Sequence, residues 1–391
     1  MGALKVFVIA GEASGDRLGA ALMAGLAQLG PVDFRGVGGS AMQGQGLASL
    51  FAMEELSVMG LAEVLPKYLH LKRRIAEVAQ AVLDWQPDVL ITIDSPDFCL
   101  RVAALVKQAA PIRVVHYVAP SVWAWRPGRA RRMLGRVDQV LALLPFEPPL
   151  MRAAGLACDF VGHPVVAEPQ ADAAAAAAFR ARHRIGPGPM VLALPGSRRG
   201  ELRRLMPVFG QTLGLLRDSH PGLKVVLPTL AHLAAEVASA CRDWPVPALI
   251  LDPAALPPEA AAAEKRAAFA AADVALAASG TVSLELAAAG TPMVIAYDMN
   301  PISRLIIGAM LRIDTVTLVN LVSDTRAVPE FIGRRCRAGL IAPAVLDVLR
   351  AGDAQRQAMA LTMDRLGRGQ EAPGLRAARA VRRGLGLPAE L

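Results

Sequence analysis

The sequence predicts an α/β protein built as two doubly wound parallel sheets, and three observations carry that expectation. Short apolar runs alternate with helical stretches in two successive series, the order that places parallel strands under helices on both faces. The 391 residues exceed what one ordinary core accommodates. The chain is 54% hydrophobic but only 4% aromatic, which suits layers rich in Ala, Leu and Val.

The first series has strands expected at Val6–Ala10, Phe34–Gly38, Val89–Asp94, Arg113–Val118, Gln139–Leu143 and Asp159–Val161. The second has them at Val191–Leu194, Lys224–Leu227, Ala248–Leu251, Val274–Ala277 and Met293–Tyr297. Between them, VGHPVVAEPQADAAAAAAFRARHRIGPGP combines proline breaks with an Ala-rich helix. The expected organisation is therefore an N-terminal domain over 1–165, a linker over 166–189, a C-terminal domain over 190–352 and a helical tail over 353–391 that returns toward the first domain. Open α/β sheets bind ligands outside their strand C-termini, so the ligand is expected in a cleft between two facing halves.

The formal net charge of +8 points to an anionic partner. Four scattered cysteines with no CxxC, and no N-terminal signal segment, fit a reduced cytosolic protein. Six histidines show no metal-ligand spacing, so neither a metal nor a cofactor is expected. No apolar run reads as a spanning helix; contact with a membrane surface stays open.

In the second half, MVLALPGSRRGELRRLMPVF runs from a strand through Pro195, Gly196 and Ser197 into a helix opening with Arg198 and Arg199. Small residues let the backbone approach a ligand, and the arginines neutralise a diphosphate. A Ser-capped helix with a solvated basic face explains the same pattern equally well. DVALAASGTVSLELAAAGTPMVIAY is more informative. Its turn Ser279-Gly280-Thr281 precedes a helix expected over Val282–Ala289, whose N-terminus offers free N–H groups to an anion. Glu285 lies one helical turn inward, placed to accept sugar hydroxyls.

The first half opens with LKVFVIAGEASGDRLGAALMAGLAQLG, a strand, a small-residue loop and a helix. Glu12 and Asp16 would repel a phosphate, so this loop is expected to meet hydroxyls through Glu12, with Asp16 stabilising the first turn of its own helix. VLITIDSPDF sets Asp94 and Asp97 at a strand end. One aspartate there is explained as a cap; two beside a cleft suit a base and its orienter. HYVAPSVWAWRPGRARRMLGR brings Trp123 and Trp125 beside Arg126, an arrangement for stacking a sugar or gripping a phosphorylated lipid, or simply a packed seam with a solvated basic helix. No basic and aromatic stripe continues elsewhere, which argues against nucleic acid. The stretch from Met59 through Leu71 to Lys72, Arg73 and Arg74 suits an amphipathic surface on anionic lipid or, on periodicity alone, a core-facing helix.

Taken together, IAGEASGD, VGGSAMQ, ELSVMGLAEVL, IDSPDF, HYVAPSVWAWR, LPFE, FVGHP, LPGSRRGE and ASGTVSLELAAAGTPMV resemble, in content and order, the lipid-A-disaccharide synthase family. The resemblance implies two Rossmann-like domains facing across a cleft (the GT-B arrangement) and an inverting glycosyltransferase. Such an enzyme joins UDP-2,3-diacylglucosamine to 2,3-diacylglucosamine 1-phosphate and releases UDP, without a metal, at the cytoplasmic face of the inner membrane. It implies Asp97 as the general base, with Glu12 as its competitor. Gly196, Ser197, Arg198, Arg199, Glu201, Ser279, Gly280, Thr281, Glu285 and Asn320 then fall on the UDP-sugar side. Ser14, Gly15, Asp94, Trp123, Trp125, Arg126 and Met59 fall on the acceptor or lipid side. Cys99 and Ala119 stand where the family usually has Asn and Ser. Another UDP-N-acetylglucosamine-type transferase or epimerase, or a two-lobed sugar-binding protein without chemistry, are the competing readings, and an oligomer stays open.

Overall fold

The structure, a computed structural model, describes residues 2–56, 61–123, 128–300 and 313–388, with side chains for all of these except 61–68. Two compact units emerge: residues 1–167 with 366–391, and residues 168–365.

The first unit runs β1 (Leu4–Ala10), α1 (Ala13–Gln28), β2 (Val32–Val37), α2 (Ser40–Gln43), β3 (Ala48–Ser49), α3 (Leu61–Trp85), β4 (Val89–Ile93), α4 (Pro96–Ala109), β5 (Arg113–Tyr117), α5 (Gly128–Arg131), β6 (Gln139–Ala142), α6 (Glu147–Ala153) and β7 (Ala157–Phe160). Its sheet has the order β3-β2-β1-β4-β5-β6-β7, and every described pairing is parallel. Alternation along β1 explains the two layers that cover it. Phe7 and Ile9 face a cluster with Val78, Val82 and Val102 of α3 and α4, while Val6 and Val8 face Leu22 and Leu26 of α1. Each buried aliphatic side chain stabilises by roughly 1.5–3 kcal/mol.

The second unit runs α7 (Ala173–Arg182), β8 (Met190–Leu194), α8 (Arg199–Ser219), β9 (Lys224–Pro228), α9 (Ala234–Cys241), β10 (Ala248–Leu251), α10 (Pro258–Ala271), β11 (Val274–Ala277), α11 (Val282–Ala289), β12 (Met293–Tyr297), α12 (Leu318–Ser323), β13 (Glu330–Ile332), α13 (Ala338–Arg350) and α14 (Asp353–Arg365). The sheet order is β10-β9-β8-β11-β12-β13, again parallel. Both sheets are thus the doubly wound kind that the alternation implied, with β3 and β13 added at their edges.

Two boundaries differ from expectation. Residues 168–189 are no linker: α7, capped by the Asp172 carboxylate on the Ala175 N–H at 2.7 Å, belongs to the second unit. There Arg180 donates to the carbonyls of Ala271 at 2.9 Å and Gly188 at 2.7 Å. The tail also divides. α14 stays with the second unit, where the Gln355 amide clasps both backbone groups of Met293, at 2.6 and 2.9 Å. The final helix, α15 (Pro373–Gly384), completes the first unit against α1 and β6, with Gln139 Nε2 donating to the Ala380 carbonyl at 3.0 Å. A Cβ on Gly25 would lie 2.7 Å from the Gly374 carbonyl oxygen, so both helices need glycine at their crossing. No described helix is long and apolar enough to cross a membrane.

Candidate functional site

In the first unit, the register pairs Ala10 with Ile93, Ile93 with Tyr117 and Tyr117 with Leu141. The strands therefore end level, and the loops after β1, β4, β5 and β6 rise from one edge. They are tightly fitted: a Cβ on Gly11 would stand 2.6 Å from Ser95 Oγ. Asp94, Ser95 and Val118 carry positive φ values of 50°, 42° and 83°. Left-handed backbone costs a non-glycine residue about 1–2 kcal/mol, more when it is β-branched, and such strain gathers where the surrounding structure over-determines a functional loop. Asp94 N–H donates to the Tyr117 carbonyl and Val118 N–H to the Leu141 carbonyl, each at 2.9 Å, stitching the loop bases together.

The two aspartates of this loop differ. Asp97 is exposed in the first turn of α4, whereas Asp94 is partly buried, and desolvation raises its carboxyl above the usual range against a weaker lowering by the Ser95 N–H. Of the two carboxylates, Asp94 is the more buried. Glu12 stands at the N-cap of α1, partly exposed, with Ser14 exposed and Gly15 buried one turn on, against Ile93. Asp16 corrects its expectation. Instead of serving the first turn of α1, its carboxylate accepts the N–H groups of Gly39, Ala41 and Met42 at 2.8–3.0 Å, holding VGGSAMQ against GEASGD.

Trp123 lies partly buried after β5. Its indole N–H donates to Glu147 Oε1 at 3.2 Å, and its ring meets Phe146 edge-on at 5.4 Å. The buried Glu147 carboxyl also accepts the Leu144 N–H at 3.0 Å, and desolvation pushes it up to about 7. Trp125, Arg126 and Met59 lie outside the described residues. Of the cations after Met59, Lys72 and Arg73 are exposed, but Arg74 is held inside by the Glu55 carboxylate at 2.7 Å and lies over the Phe51 ring. Leu69 beside them is 75% exposed. Cys99, where the family usually has Asn, is buried under α4, with its thiol against the Ile93 backbone and close enough to Asp94 to feel its charge.

In the second unit, Leu194 pairs with Ala277 and Ala277 with Ile295, so the loops after β8, β11 and β12 share an edge. Gly196 has φ +114°, and a Cβ there would lie within 3 Å of Glu201. Glu201 Oε2 accepts the N–H groups of Ser197 at 2.9 Å and Arg198 at 3.2 Å, closing a capping box at the start of α8. It thus shapes the loop from within, while Ser197, Arg198 and Arg199 project outward. Arg199 pairs loosely with Glu236 at 3.4 Å. Tyr297, which sequence reasoning missed, ends β12; burial raises its phenol above the usual range, the nearby Glu201 charge adds to this, and Arg198 and Arg204 oppose it.

The turn Ser279–Thr281 is open: nothing lies within 4 Å of a Cβ built on Gly280, and only its φ of +133° demands glycine. Ser283 Oγ donates to the Gly280 carbonyl at 2.9 Å and fixes the turn. Glu285 is partly exposed and pairs with Lys265 at 2.5 Å. Asn320 is 1% exposed and its amide is spent within the protein. It donates to Thr315 Oγ1 and the Val328 carbonyl and accepts from the Val328 N–H. Glu330 accepts from Thr315 Oγ1 at 2.6 Å and from the Thr317 N–H at 2.7 Å. These two residues pin the segment 315–317 beside a cavity of about 390 Å³ lined also by Asp314, Arg326 and Arg335. No metal-binding cluster occurs among the described residues.

Two doubly wound parallel α/β units define the class of two-domain proteins of the GT-B fold. S. aureus MnaA, solved in a co-structure with UDP, shares that fold with a TM-score of 0.65 at 13% identity, over 99% of this chain and 98% of its own. The profile of the family described as lipid-A-disaccharide synthetase matches residues 6–381. Lipid-A-disaccharide synthase of Ruegeria pomeroyi is 63% identical over 379 residues, 97% of this chain and 94% of the relative. That of Rhodospirillum centenum is 48% identical over 385 residues, with 97% and 94% covered. The chain belongs to the lipid-A-disaccharide synthetase family, glycosyltransferases of lipid A biosynthesis.

Proposed function

We propose that the chain joins UDP-2,3-diacylglucosamine to 2,3-diacylglucosamine 1-phosphate. The acceptor's primary hydroxyl oxygen attacks the donor's anomeric carbon, the bond from that carbon to the diphosphate oxygen breaks, and UDP leaves with the electron pair. The configuration inverts, and the hydroxyl proton passes to a carboxylate of the first unit. The observation that carries this reading is the partly buried Asp94 in a left-handed loop at the end of β4. Asp94 is favoured as the proton acceptor because burial raises the basicity of its carboxylate. Asp97, exposed in the first turn of α4, and Glu12 are the other candidates.

On the donor side, Ser197, Arg198, Arg199 and the Ser279–Thr281 turn, with Gly196 and Gly280 supplying the backbone shape, would neutralise the leaving diphosphate. Glu285 would exchange its Lys265 partner for ribose hydroxyls. Glu201 and Asn320 would act by holding loops. Ser14, Gly15, Trp123, Trp125 and Arg126 belong to the acceptor side. Leu69, with Lys72 and Arg73, supports peripheral contact with an anionic lipid surface.

The test is UDP release from the acylated donor with the acylated sugar phosphate, in the unaltered protein and in Asp94→Asn, Asp97→Asn and Glu12→Gln. Loss of the base should lower kcat by about 100-fold or more with donor binding kept. Near-normal turnover in Asp94→Asn would transfer the role to whichever carboxylate fails.

A further inference from the structure

We propose that Glu147 is a positioning residue that sets the Trp123 indole for the acylated acceptor; this rests on the acceptor-side reading above. The two residues come from neighbouring loops. Trp123 follows β5 and Glu147 opens α6 after β6, so their 3.2 Å hydrogen bond crosses the edge from which the Asp94 loop also rises. Phe146, next in chain to Glu147, meets the same indole edge-on. One dipeptide therefore fixes both the plane of the ring, through Phe146, and its rotation, through the N–H. The Glu147 carboxyl is itself fixed by the Leu144 N–H at 3.0 Å.

A carboxyl is a costly choice for that task. Glu147 is 4% exposed, and its carboxyl is held by an indole and backbone N–H groups, none of them a cation. Burying a charge without a countercharge is expensive, and a neutral amide could accept from the indole at lower cost. What the carboxyl adds is a charge-assisted bond to the indole that strengthens when the proton leaves. Burial puts that event near pH 7. From β7 the buried Cys158 thiol faces this carboxyl, and Arg152 of α6 and Asp159 of β7 are the charges beside that thiol. A Trp123 ring locked in this way offers a flat, partly exposed apolar face with its polar edge already satisfied. That surface suits the apolar part of a sugar ring or acyl chain.

The test compares Trp123→Phe, Glu147→Gln and the double variant in the full-length protein. The loss of one oriented hydrogen bond predicts an acceptor KM raised about three- to tenfold, with kcat within about twofold and the donor KM unchanged. The double variant should be no worse than the weaker single one, because both remove the same link. Separately, tryptophan fluorescence of the substrate-free protein should titrate near pH 7, and both single variants should abolish that titration. Unchanged acceptor KM in both variants, additive effects, or an intact titration in Glu147→Gln would overturn the proposal. Should Glu147→Gln not fold, Trp123→Phe carries the KM comparison alone, since it keeps a ring of similar packing. If the unaltered protein releases no UDP while the fluorescence titration persists, the acceptor reading has failed and the Glu147–Trp123 link has not.

Discussion

Asp16 Oδ1 accepts the backbone N–H of Gly39 at 2.8 Å and so ties the helix after the first strand to the loop after the second. The same carboxylate takes the N–H groups of Ala41 and Met42, leaving the start of α2 satisfied from 23 to 26 residues away. Asp16→Ala strands three donors and should cost about 2–3 kcal/mol in urea unfolding; Asp16→Asn, which keeps one acceptor oxygen, should cost about half of that. A loss below about 0.5 kcal/mol for the alanine variant would mean that water replaces the carboxylate.

Gly196→Ala tests the loop after β8. The glycine has φ +114°, and an added Cβ would collide with Glu201, whose carboxylate holds the Ser197 and Arg198 N–H groups. The variant should weaken UDP binding by about tenfold or more in calorimetry, equivalent to roughly 1.4 kcal/mol, while the fold survives. Unchanged affinity would remove this loop from the donor site.

Ser95→Gly tests whether the left-handed loop carries strain. Ser95 has φ 42°, and glycine adopts that conformation freely, so the variant should gain about 1 kcal/mol of stability. Turnover should nevertheless fall, because the Asp94 carboxyl loses its fixed backbone. A variant that is both more stable and fully active would show that the strain has no catalytic use.

Histidine burial sets an acid limit. Desolvation lowers His116 and His163 from the ordinary 6.5 to about 4. Below pH 6.5 the unfolded chain binds protons that the folded chain refuses, so their contribution is complete above 6.5 and lost progressively down to about 4. Glu147 works in the opposite sense: its folded value of about 7 lies above the ordinary 4.5, so stability falls as pH rises between the two. Difference measurements separate them. His116→Gln should lose less stability than the unaltered protein between pH 7 and 4.5, and Glu147→Gln should lose less between pH 4.5 and 7. Unchanged slopes in urea titrations at these pH values would refute both assignments.

Much of the fold was legible because parallel strands buried on both faces read as unbroken apolar runs. Val274–Ala277, Val282–Ala289 and Met293–Tyr297 lie where the apolar runs and the Ser279–Thr281 turn put them. The strands β3 and β13, two and three residues long, are too short to establish any period, and Pro329 disguises the second. The loops after β8 and β11 were recognisable from their glycines just before helix starts. What local pattern could not reveal was burial and distant partnership. Asp94 and Asp97 look alike in IDSPDF, yet only one is desolvated. Asp16 caps a helix that begins 24 residues later, and the amide of Asn320 turns inward. Glu201 was partly foreseeable, since a glutamate at the third helical position commonly closes a capping box.

The first unit is assembled from both ends of the chain, with 168–365 intervening, and α15 fills the groove beside α1 where Gly25 meets Gly374. During synthesis, β1 to β7 therefore leave the ribosome long before the helix that covers Leu22 and Val115 exists. The nascent N-terminal half must wait with apolar surface uncovered while the second unit, contiguous in sequence, folds ahead of it. Premature termination near residue 366 would release a chain whose second unit is whole and whose first is open, a natural client for chaperones and proteases.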